Sequence, residues 1–148
     1  MRFVGSMVGI GAMVGLTAGF AAPASAEPAA NGGEFSTMYT LAQGPCVGTV
    51  NATVNGRGYP NAASFTVTHN LLGVGPCSLD VTLNWRNVDT GETGRFNRHI
   101  DGPGFGITDP ASTIFYPGFG PFVGTVSINA GHLPESGEVQ FTVDPYHD

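Results

Sequence analysis

The chain has 148 residues, of which 41% are hydrophobic and only 11% charged, with 23 Gly, 11 Pro and a formal net charge of −6. All five basic residues are arginines, and a chain without lysine forms no Schiff base, fills no Walker A loop and anchors no pyridoxal phosphate. The acidic balance argues against a nucleic-acid partner, which requires a basic face.

The first segment reads as an export signal. Arg2 gives a short positive start, and the stretch from Phe3 to Ala22 carries no charge. Ala24-Ser25-Ala26 then places small residues at the −3 and −1 positions that signal peptidase reads. Residues 1–26 are therefore expected to be a cleaved signal peptide, although an apolar run of this length could also span a bilayer. Arg2 stands alone, which excludes the twin-arginine route. The expectation is a secreted or cell-wall-associated protein with no membrane span after cleavage. Residues 27–34, rich in Ala, Gly and Glu, read as a flexible lead-in.

From residue 35 onward the apolar period is 2 almost everywhere. Cys77, Leu79, Val81, Leu83 and Trp85 share one face, and Ser78, Asp80, Thr82, Asn84 and Arg86 share the other. Similar alternation marks strands at 46–54, 64–70, 95–100, 122–129 and 138–143, with a weaker one at 35–41. Turn signals separate them: Asn55-Gly56, then 73–76, 89–94, 102–106, 117–121 and 134–137. No stretch shows a period of 3.6. Seven or eight half-polar strands must pair their apolar faces, so residues 35–148 are expected to form one all-β domain. The fold expected is an immunoglobulin-like antiparallel β-sandwich, with a small β-barrel as the alternative.

Two cysteines each open a strand after the same tripeptide, Gly44-Pro45-Cys46 and Gly75-Pro76-Cys77. Two strand passages separate them, which returns both to one end of the sandwich. A Cys46–Cys77 disulfide follows for an exported chain. Redox or metal roles lack the necessary spacing.

Motifs for catalysis are sparse. No two of His69, His99, His132 and His147 lie within five residues, so metal-ligand spacings are absent, and no G-x-S-x-G elbow occurs. Ser136 beside Gly137 comes nearest, in a turn between strands. The acidic residues are scattered singly and define neither a calcium loop nor a glycosidase pair. No catalytic residue, metal or cofactor is expected. Arg86, Arg95 and Arg98 gather around one hairpin. Arg98 is expected to cap the core over Trp85 as a cation–π contact, and an anion or carboxylate pocket is the functional alternative.

The most unusual segment is 102–122. It holds Pro103-Gly104-Phe105-Gly106 and Pro117-Gly118-Phe119-Gly120-Pro121, with Phe115, Tyr116 and Phe122 among them. Gly and Pro on both sides of a Phe push the ring toward a loop tip. Candidate binding residues are therefore Phe105, Phe115, Tyr116, Phe119 and Phe122, with Arg95 and His99 on the outward face of the preceding strand.

The run from Asn84-Trp85-Arg86 to Thr93-Gly94 and the closing run from Gly131-His132-Leu133-Pro134 to Val143 resemble a group of small exported actinobacterial proteins. That resemblance implies an immunoglobulin-like domain behind a signal peptide, and it brings no functional residue with it. The expected function is a binding or structural domain that presents aromatic loops to an envelope glycan, a lipid or a protein, or to itself. A secreted hydrolase without a recognisable motif, or a small-molecule carrier, is the alternative.

Overall fold

A computed structural model describes residues 31–147. The expected signal peptide and residues 27–30 of the lead-in lie outside the described residues. What is described is an all-β sandwich of two antiparallel sheets joined by one disulfide, with eleven strands among the described residues.

A long hairpin carries the first sheet. Its arms are β3 (Cys46–Tyr59) and β4 (Ala62–Gly73), paired from Cys46↔Gly73 to Tyr59↔Ala62. Two short strands extend β3: β1 (Gly32–Glu34) pairs with its second half and β2 (Met38–Leu41) with its first. Two more flank β4: β7 (Gly104–Ile107) and β8 (Ile114–Phe115). The edge strand β10 (His132–Leu133) completes this seven-stranded sheet beside β2. The second sheet runs β11 (Val139–Val143), β9 (Gly120–Ile128), β5 (Cys77–Asn87) and β6 (Thr93–Gly102).

The strand count exceeds the seven or eight expected because single flanking strands are divided. Along β4 the 3-10 turn Pro110–Thr113 separates two short strands, and along β3 the break falls at residues 35–37, where the Ser36 amide donates to the Ser136 carbonyl. Part of the expected lead-in, Gly32–Glu34, is one of these strands. The expected turn at Asn55-Gly56 is also corrected: β3 continues through it to Tyr59, and the chain reverses at Pro60-Asn61, where Asn61 takes φ 57°. Proline fixes the approach and asparagine tolerates the left-handed conformation.

The inward faces meet as the alternation requires. Val50, Ala52 and Val54 of β3 and Phe65, Val67 and Leu71 of β4 are buried against Leu79, Val81 and Leu83 of β5. A relay of rings crosses the gap between the sheets. Trp85 meets Phe122 edge-on at 5.5 Å, Phe122 stacks on Phe141 at 5.2 Å, and Phe115 reaches Phe141 at 6.3 Å and Phe96 at 5.0 Å. Such pairs contribute about 0.5–1.5 kcal/mol each beyond the area they bury. At one end the Cys46–Cys77 disulfide ties the start of β3 to the start of β5, with Cα atoms 6.0 Å apart. No helix among the described residues is long and apolar enough to cross a membrane.

Candidate functional site

The segment 102–122 does not form one aromatic surface. Phe115 and Phe122 are 6% and 1% exposed and belong to the ring relay of the core, whereas Phe105, Tyr116 and Phe119 are 77%, 76% and 52% exposed. The two buried rings are thereby removed from the expected binding set: each falls on the inward phase of its strand, where the facing sheet covers it. The three exposed rings are also separated. Phe105 pairs with Asn70 of β4 and Phe115 with Ala63, so seven residues of β4, about 23 Å, divide Phe105 from the segment that leads to Tyr116. Phe119 sits at the far end, where the Asn87 side-chain amide donates to its carbonyl at 3.0 Å. Arg95 and His99 are exposed on the other sheet. Phe105 lies within strand β7 instead of at a loop tip, because Gly104 and Gly106 fit the edge of β4. Gly106 leaves room for the His69 imidazole, whose Cε1 would lie 2.4 Å from a Cβ there.

Arg98 turns inward as expected but lies over Phe96, 5.8 Å from its centroid, and not over Trp85. Its guanidinium donates to the Ser112 carbonyl and hydroxyl at 2.8 and 2.7 Å, across the edge of the sandwich. A single 3-10 turn, Pro110–Thr113, brings Ser112 there, and the Asp109 carboxylate caps that turn by accepting from the Ala111 amide.

His99 and His132 are engaged in local structure. His99 stands between two carboxylates, 2.8 Å from Asp80 and 3.3 Å from Asp101, and the hydrogen bond to Asp80 foremost raises its pKa above the ordinary imidazole value. Burial lowers the pKa of His69, opposed by a hydrogen bond to the Asp101 backbone. His132 is tied through Nδ1 to the Ala130 carbonyl at 2.9 Å. The Ser136 hydroxyl is buried; it accepts from the Val126 amide and donates to the Gly137 carbonyl, both at 2.8 Å. No group of three or more potential metal ligands occurs among the described residues.

An extensive apolar surface lies mostly outside the aromatic segment. On the outward face of the seven-stranded sheet, pairing sets Leu133 beside Tyr39, Tyr39 beside Thr49, Thr49 beside Asn70 and Asn70 beside Phe105. The next register row sets Leu41 beside Val47 and Val47 beside Leu72, and Ile107 lies beside Thr68. Seven of these side chains are large, apolar and exposed, and none of the side chains in this part of the face carries a charge. A groove of about 640 Å³ runs between Leu133 and Val47, floored by Gly48 and Thr49. The sequence signal was doubled apolar residues, Cys46-Val47 and Leu71-Leu72, where strict alternation requires a polar partner.

A second groove, of about 670 Å³, lies on the outward face of the other sheet, with Arg86, Arg95, Thr125 and Glu138 around it. Compared with protein-family models, curated proteins and solved structures, the chain matches none of them.

Proposed function

We propose that the protein is an extracellular, non-catalytic β-sandwich that works by presenting surfaces, and that the uncharged face of its seven-stranded sheet pairs with the same face of a second copy. The export-signal pattern of residues 1–26 and the Cys46–Cys77 disulfide support the extracellular setting. The engagement of Ser136, His99 and His132 in structural hydrogen bonds supports a non-catalytic role.

The observation that carries the reading is the Tyr39–Leu72–Phe105 face. Its seven apolar side chains expose on the order of 800 Å², about what each partner of a standard protein interface buries. Monomers rarely leave so large a contiguous patch open to water. Two copies of a chain with net charge −6 repel each other over most of their surfaces, and this uncharged area is where they can meet without opposing carboxylates. Thr49 and Asn70 form a polar island at its middle, so a two-fold axis there sets polar groups against polar groups and apolar flanks against apolar flanks.

Light scattering on the purified, disulfide-intact protein tests this. A dimer mass is expected, with Leu72→Glu weakening association at least ~100-fold by burying an uncompensated carboxylate. Val88→Glu, at an exposed apolar site elsewhere, leaves the dimer intact. A monomer at all concentrations, or a monomer that co-sediments with phosphatidylcholine vesicles through this face, overturns the self-pairing reading.

A further inference from the structure

The arginines of the described chain divide into two kinds. Arg57 is paired with Asp144 at 2.9 Å, and Arg98 is held by Ser112. Arg86 and Arg95 have neither an ion pair nor a side-chain hydrogen bond among the described residues, and both line the groove on the four-stranded sheet. The register makes them diagonal neighbours, since Arg95 pairs with Asn84 and Thr93 with Arg86. Like charges this close on a sheet face repel. Among the described residues no carboxylate lies within ion-pair distance of either of them.

The rest of the groove has the opposite chemistry. Glu138 enters from the β11 side, and Thr125 supplies a hydroxyl on β9. The Asn84 amide donates to the Ser127 hydroxyl at 3.0 Å, which leaves its carbonyl free to accept. One end therefore offers two planar guanidiniums, which grip a carboxylate through paired N–H groups. The other end offers acceptors for hydroxyl groups. A phosphate carries more negative charge toward Glu138 than one carboxylate does, whereas a sugar acid divides a single negative charge from a set of hydroxyls, as the groove divides its partners.

We propose that this groove binds a uronic acid residue of an acidic polysaccharide. Arg86 and Arg95 hold its carboxylate, and Glu138, Asn84 and Thr125 contact its ring hydroxyls. The site lies on the sheet opposite the self-pairing face, so a two-copy assembly carries two such grooves directed outward. A polymer with repeated uronates then engages both, and the second contact is strengthened by tethering.

Calorimetric titration of the purified protein with trigalacturonic acid, maltotriose and inorganic phosphate tests the proposal. Saturable binding of trigalacturonic acid is expected below about 10 mM, with no binding of neutral maltotriose. Arg86→Gln and Arg95→Gln each weaken it about tenfold, and the effect shrinks as salt rises. Both arginines are exposed, so unchanged melting curves verify that the variants remain folded. The monomeric Leu72→Glu variant keeps the wild-type affinity per site, which separates this proposal from the self-pairing one. No saturable binding, equal binding of maltotriose, unaltered affinity in the arginine variants, or equally tight phosphate binding would each overturn it.

Discussion

Gly56 lies directly against the backbone of Thr142, so close that a Cβ on Gly56 would sit 2.1 Å from the Thr142 carbonyl oxygen. This is where β3 of one sheet passes β11 of the other, and the missing side chain lets the two sheets approach. Gly56→Ala must push backbone against backbone, which costs more than a clash with a mobile side chain. The variant is expected to lose about 2–3 kcal/mol in urea unfolding. Gly131→Ala, with open space around it, is expected to lose less than ~1 kcal/mol.

The disulfide links strand starts on different sheets across a sequence separation of 31. Its chief effect is on the unfolded chain, whose freedom it restricts. Replacing Cys46 and Cys77 together by Ala is expected to cost about 3–4 kcal/mol in the chain-entropy account. Equilibrium unfolding of the double variant against the oxidised protein measures this.

The aromatic segment divides by phase, and its variants should divide likewise. Phe122→Ala removes a ring from the relay between Trp85 and Phe141 and is expected to cost about 3–5 kcal/mol. Phe119→Ser changes an exposed ring and is expected to cost less than ~1 kcal/mol. Comparable melting losses for the two would contradict the placement of these rings.

Two histidines should titrate on opposite sides of the ordinary imidazole value of 6.5. His99 is raised, chiefly by its hydrogen bond to Asp80, so its contribution to stability is fully present below pH 6.5 and is lost as pH rises through the raised value. His69 is lowered by burial; the unfolded chain takes up its proton first, so stability falls as pH drops from 6.5 through the lowered value. Proton NMR titration resolves both midpoints. Asp80→Asn is expected to lower the His99 midpoint and leave that of His69 in place.

Alternation made much of this fold legible. The inward and outward phases of β5 follow residue by residue from Cys77 to Arg86, and the repeated Gly-Pro-Cys placed both cysteines at one end. Glycine was the point of failure. Asn55-Gly56 has the composition of a turn, but Gly56 is small because Thr142 crosses it, and only the assembled sandwich reveals the crossing. Gly104 and Gly106 likewise looked like breakers around Phe105 while serving as an edge strand beside His69. The apolar face was hidden for a related reason. Tyr39, Leu72 and Leu133 lie far apart in sequence, and strand order, which pattern does not encode, brings them together.

The self-pairing face is tested most directly by residue-resolved amide shifts followed over a dilution series. The pairing requires concentration-dependent shifts centred on Tyr39, Val47, Leu72, Phe105 and Ile107, with Arg86, Arg95 and Thr125 on the opposite sheet unmoved. Shifts that are absent at every concentration, or that centre on the four-stranded sheet, would contradict it.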